Sequence, residues 1–329
     1  MSLAPTQSFY SEIAQNRRQS ALLVLVMMLV LALLGLAVGY GVTGDWQSGL
    51  LVMAGGIVLA GLLSLGSYFG GDSLVLGASR AQEVDDQSAP QLMNVVRELT
   101  VAADLPMPRV YIINDPAPNA FATGRDPQHA SVAITVGLLQ KLDREQLQGV
   151  IGHELSHVRN LDTRYMLLVG VLVGSIALIA DVFLRFTFWG GMGGGRRSDS
   201  SGGGGGAQAI ILLVALVLAI VAPIFGALVQ LAVSRQREYL ADASSVELTR
   251  NPVGLEQALA KIAADPEPLE VANRATQHLY IVNPLKKHSE VQNLMSTHPP
   301  ILDRINRLRA LTGQPPLDAV SAQPLAGLD

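Results

Sequence analysis

The sequence predicts an α-helical membrane protein: four transmembrane helices that hold a mainly helical polar domain with a small β-sheet. Three observations lead there. Hydrophobic residues make up 49% of the 329 positions and charged residues 15%, and the mean hydropathy is +0.34. Those apolar residues are Leu, Val, Ile and Ala gathered in long runs, as in bilayer spans beside a modest polar domain. The polar remainder carries a His-Glu-x-x-His motif, "HELSH", from His153 to His157. A net charge of −4 without any Lys/Arg-rich run excludes nucleic acid as a partner. The chain has no cysteine, so any metal must be held by His and carboxylate side chains.

Four stretches reach the roughly 20 apolar residues that a bilayer crossing needs: 21–42, 48–71, 165–189 and 207–234. The first follows Arg17 and Arg18 as a signal peptide would. It is longer than the about 7–15 apolar residues of a cleaved signal, so it reads as an anchor. The connection 43–47 has no Lys or Arg, whereas Arg17, Arg18, Arg80, Arg159, Arg164, Arg235 and Arg237 lie near the opposite span ends. The positive-inside rule then places both termini in the cytoplasm. Arg196 and Arg197 pull mildly the other way, within a Gly/Ser-rich loop, 190–206, expected to act as a flexible tether.

The expected organisation is a segment 1–71 with spans one and two, a polar part 72–164, a transmembrane hairpin 165–234 and a second polar part 235–329. The hairpin returns the chain to the side it left, so the two polar parts form one cytoplasmic domain. Residues 89–105 have apolar positions at helical spacing and stop before "PMP". "RVYII", "NAFATG" and "ASVAITVG" read as short strands separated by "NDPAP" and "RDPQH" turns. The HELSH helix begins near Asp143, where Asp143 and Gln146 form a capping-box pattern. Residues 235–248, 252–264 and 299–311 read as further helices.

On a helix, His153 and His157 project from one face and both imidazoles reach one ion. Glu154, one position on, is placed to act on water as a general base instead of ligating. A metzincin would need Gly at 160 and His at 163, where this chain has Asn160 and Thr163. Asp143, Arg144, Glu145, Arg159 and Asp162 flank the motif, which keeps it out of the bilayer. The remaining common arrangement is a distant glutamate on a second helix. "SRQREYLAD" offers Glu238 as that ligand, with Asp242 four residues on to orient a histidine ligand through a hydrogen bond. Span three starts and span four ends close to these residues, which brings the two helices to the roots of one hairpin.

"NAFATG", "HELSH", "REYLAD" and "STHPP", in that order among four spans, resemble the HtpX branch of membrane zinc metalloproteases, a group related to the CAAX prenyl proteases. The resemblance covers roughly residues 10–312. It implies a gluzincin-like zincin fold and one Zn2+ per chain, bound by His153, His157 and Glu238 with Glu154 as catalytic base. It also implies cleavage of membrane or misfolded proteins on the cytoplasmic side of the cell inner membrane, in quality control and stress response. Under it, Asn119, Ala120, Phe121 and Ala122 become either a strand that binds extended substrate by backbone pairing or a plain edge strand. His298, before two prolines, is expected to stabilise the oxyanion or close the site, the alternative being a helix-start device. Arg304, six residues on, is the lesser candidate, and His129, His278 and His288 read as surface residues.

Two other functions fit parts of the pattern. A non-catalytic membrane chaperone or scaffold with a structural metal would need a closed four-ligand site. A prenyl-protein-processing protease would need more than four spans to enclose a chamber.

Overall fold

The computed structural model describes residues 9–168, 235–271, 279–282 and 299–317. The predicted spans 165–189 and 207–234 lie outside these apart from 165–168, as do the Gly-rich loop, His278, His288 and His298. The chain divides into two compact units, one of residues 18–69 with 168–229, the other of 1–17, 70–167 and 230–329.

The first unit is seen through two long helices, α1 (Phe9–Thr43) and α2 (Trp46–Ala78). Gly44 reverses the chain between them at φ +71°, and the Asp45 carboxylate accepts the Ser48 N–H at 2.9 Å to start α2. A Cβ on Gly35 would stand 2.6 Å from the Val52 carbonyl, so the glycine allows the two backbones to approach closely. Trp46–Ala78 is long and apolar enough to cross a membrane, and α1 has a shorter apolar stretch, Arg18–Leu33. Leu25, Leu51, Val58, Leu62, Leu65 and Phe69 point outward and are exposed.

The second unit is built on a four-stranded sheet. Its strands are β1 (Gln82–Glu83), β2 (Arg109–Ile113), β3 (Ala120–Gly124) and β4 (Ala130–Thr135), in the order β1-β2-β4-β3. β2 runs parallel to β4, and β1 and β3 are antiparallel to their neighbours. β3 is therefore a sheet edge. Five helices expected from the sequence are present, among them α3 (Pro90–Ala102), α5 (Arg144–Arg159) and, beyond the predicted hairpin, α6 (Arg235–Thr249). α7 (Pro252–Ala264) and α8 (Ile301–Leu311) complete the set. Leu92, Val96, Ile134, Ile151, Leu259 and Leu308 share the core between sheet and helices.

Two local features depart from the sequence reading. "ASVAITVG" ends as a strand at Thr135, whose hydroxyl accepts the Leu138 N–H at 3.2 Å and opens a short helix, α4 (Val136–Lys141). β1 is two exposed polar residues without alternation, so no periodic signal marks it.

α5 carries the histidine motif and is almost wholly buried from Gln146 to Val158. Its capping box forms as expected: the Asp143 carboxylate accepts the Gln146 N–H at 2.9 Å, and the Asp143 N–H donates to the Gln146 side chain at 3.2 Å. Gly149 and Gly152 explain how neighbouring helices come so near. A Cβ on Gly149 would meet the Leu255 backbone at 2.8 Å, and one on Gly152 the Ser245 hydroxyl at 2.9 Å. Ser245 also donates to the Gly149 carbonyl at 2.6 Å, which ties α6 to α5.

Candidate metal centre

α5 and α6 bring His153, His157 and Glu238 together. One ligating atom from each lies within 4.8 Å of the others, and all three side chains are buried. The two Nε2 atoms stand 3.1 Å apart. Glu238 Oε2 lies 3.6 Å from His153 Nε2, and Glu238 Oε1 lies 3.6 Å from His157 Nε2. Buried donors facing one point in this way suit a divalent cation, with two neutral imidazoles and one carboxylate as ligands.

The other ring nitrogens face carboxylates. His153 Nδ1 is 2.9 Å from Asp242 Oδ1, and His157 Nδ1 is 3.0 Å from Asp162 Oδ2. Each carboxylate accepts the Nδ1 proton, which leaves the Nε2 lone pair turned toward the metal position. Each carboxylate also has an arginine beside it. Arg304 Nε donates to Asp242 Oδ2 at 2.8 Å and Arg304 Nη2 to Oδ1 at 2.6 Å. Arg237 Nε lies 3.5 Å from Asp162 Oδ1.

Electrostatics follow from this burial. Burial and the Arg304 charge both disfavour protonated His153, yet hydrogen bonds to Asp242 and Glu238 carry its pKa up to about 9. Binding of a metal at His153 should therefore release a proton, and metal affinity should weaken as pH falls, read by chelator competition across a pH series. For Asp242, burial acts to raise the pKa, but the Arg304 charge and hydrogen bonds outweigh it and hold the carboxyl below its usual range. Glu154 is pushed up by burial, against the opposing pull of His153, His157 and the Ala122 N–H. A carboxylate with a raised pKa is a suitable proton acceptor near neutral pH. Its Oε1 is buried and has no hydrogen-bond partner among the described residues. An acceptor left over beside a three-ligand cluster is what a general base needs.

The sequence-predicted residues are distributed as follows. His153, His157 and Glu238 converge on one point, Asp242 meets the outer ring nitrogen of His153, and Glu154 lies close enough to feel the charges of all three converging residues. Asn119 to Ala122 lie on β3 and its approach, buried, with the Ala122 N–H turned to Glu154. His298 is outside the described residues; Pro300 stands at the N-cap position of α8. His129 is a surface residue paired with Asp126 at 2.6 Å.

Asp162 and Arg304 carry more than the sequence reading gave them. Asp162 read as a polar flank, yet Leu161 adopts φ +60°, a left-handed turn that brings the chain back toward His157. Exchanging Asp162 for Asn should lower divalent-metal affinity about 10–100-fold, read by competitive chelator titration. An unchanged affinity would remove Asp162 from the site.

Comparison with known proteins gives the family. A family model described as peptidase family M48 matches residues 86–312. The chain belongs to peptidase family M48. It is a metalloprotease, and the buried His153, His157 and Glu238 cluster is the candidate site for its metal. A "Protease HtpX homolog" of Streptococcus uberis is 42% identical over 300 residues, spanning 91% of this chain and 99% of the relative. A "Protease HtpX homolog" of Listeria monocytogenes serovar 1/2a is 44% identical over 302 residues, spanning 91% and 98%. The crystal structure of S. mikatae Ste24p is 14% identical, with a TM-score of 0.44 over 91% of this chain and 67% of that one.

Proposed function

We propose that this M48 chain is a membrane-anchored, zinc-dependent endopeptidase that cleaves membrane or misfolded proteins on the cytoplasmic side of the cell inner membrane. Its role is quality control of membrane proteins and the response to stress. One observation carries the reading: Glu154, with an uncommitted buried carboxylate oxygen, stands beside the converging His153, His157 and Glu238.

Zinc, when bound, supplies Lewis acidity to the scissile carbonyl and acidifies water. His153, His157 and Glu238 hold it, and Asp242 and Asp162 fix the two rings. Glu154 accepts the proton from the attacking water and passes it to the leaving amine. His298 stabilises the oxyanion. Asn119 to Ala122 align the substrate backbone alongside. The outward leucines of α2 support anchoring, since a contiguous apolar surface of this kind is costly in water. The name shared by the relatives supports the HtpX type of activity.

The test is to co-reconstitute the full chain in liposomes with a membrane protein offered folded or thermally misfolded. Cleavage should fall mainly on the misfolded form and stop with a zinc chelator. Equal cleavage of both forms would rule out quality control as the task, and chelator-resistant cleavage would rule out the zinc mechanism.

A further inference from the structure

The edge of β3 next to Glu154 is covered by the chain itself. Phe121 pairs with Tyr280 in an antiparallel bridge, and the Ile281 N–H donates to the Ala120 carbonyl at 2.9 Å. The Asn119 amide donates to the Val282 carbonyl at 3.0 Å. Residues 280–282 thus engage the backbone and side-chain groups that an extended peptide would use on this edge. The far side of the same segment reaches the metal centre. Arg304 Nη1 donates to the Ile281 carbonyl at 2.9 Å while the same guanidinium grips Asp242 and lies 3.4 Å from Glu238.

We propose that residues 280–282 are an internal substrate mimic that must leave the β3 edge before cleavage. The competitor it yields to is an extended, unfolded stretch of polypeptide. Such a stretch has a free N–H for the Ala120 carbonyl and a free C=O for Arg304. A helix or a paired strand has already spent those groups within itself. Selection for unfolded segments therefore follows from displacement, without a sequence-specific pocket.

The segment's backbone contacts can be exchanged, whereas its Tyr280 and Ile281 side chains are buried, and Ile281 belongs to the hydrophobic core. Among the described residues the segment's backbone pairing to β3 is an isolated bridge. The Tyr280 ring also packs against Phe121, at 5.1 Å between centroids, and the Tyr280 hydroxyl lies 3.3 Å from Ser79 Oγ. An incoming strand that takes the bridge also takes the Arg304 contact, so substrate occupancy and the support of the metal ligands are coupled through one side chain.

This inference rests on the proteolytic reading above, and the experiment separates the two. The chain has no cysteine, so a Phe121→Cys, Tyr280→Cys pair gives one possible disulfide across the bridge. Directly opposed residues of an antiparallel pair have Cβ atoms about 4.5–5.5 Å apart, close enough for that bond with a small adjustment. With β-casein as the probe, the oxidised full-length variant should cleave at least ~10-fold more slowly than the same protein reduced by a trialkylphosphine, the comparison being made within the variant because Phe121 lies on the substrate strand. Equal rates in the two states would overturn the proposal and leave the peptidase intact. Failure of the wild type to cleave β-casein would instead count against the peptidase reading.

If the double variant does not fold, amide hydrogen exchange on zinc-loaded Glu154→Gln protein decides. Adding β-casein at several times the wild-type KM should speed exchange over residues 279–282. Unchanged or slower exchange there would show a fixed structural strand.

Discussion

Replacing Glu154 with glutamine is expected to slow peptide-bond cleavage by about 10²–10⁴-fold, the usual contribution of a positioned general base. Glutamine keeps the volume and one carbonyl oxygen but cannot accept a proton from water. Because Glu154 is not among the three converging ligands, zinc should remain bound at wild-type stoichiometry. The informative readout is the pair of measurements together. Lost cleavage with zinc retained assigns Glu154 to chemistry, whereas lost cleavage with lost zinc assigns it to the metal site. Glutamine at this position that cut at the wild-type rate would refute the mechanism.

The second large effect belongs to Arg304. Its guanidinium is 1% exposed and is held on both edges, by Asp242 through two hydrogen bonds and by the Ile281 carbonyl. Truncation to alanine leaves the Asp242 carboxylate buried without its countercharge. Breaking a buried pair from one side costs about 3–5 kcal/mol. The consequence extends beyond stability, because Asp242 fixes the His153 ring. Arg304→Ala should therefore unfold at lower denaturant and also bind zinc about 10–100-fold more weakly. Lysine is expected to rescue little, since it cannot make the two-pronged contact to Asp242. A variant with normal zinc affinity and reduced stability would confine Arg304 to packing.

Much of the site could be read from the sequence because its parts obey short-range rules. His153, Glu154 and His157 occupy one helix with a capping box at its start, and Glu238 and Asp242 share one face of another. Helical spacing fixes such relations before any tertiary contact is considered. The strands RVYII and NAFATG were legible for the same reason, with turn residues on either side.

What was not legible depends on backbone turns and long-range pairs. Nothing local forecasts that Leu161 takes a left-handed conformation, and without that turn Asp162 reads as one more polar residue after a helix. Arg304 meets Asp242 across 62 positions and His153 across 151. The Ile281–Ala120 pairing joins an apolar run to a strand some 160 residues earlier. A four-residue apolar run such as Leu279–Val282 carries no period, so the sequence does not mark it as the strand that fills the β3 edge. The close helix contacts at Gly149 and Gly152 are similarly visible only once the neighbour is in place.

The central claim is that one metal site is assembled from α5 and α6, helices separated in sequence by a predicted transmembrane hairpin. Zinc content of the purified full-length chain, wild type beside Glu238→Ala, tests it most directly. Wild type should carry about one zinc per chain, removable by chelator and restored on adding zinc, and the variant little zinc at the same free concentration. A Glu238→Ala protein that held zinc with wild-type stoichiometry and affinity would contradict it.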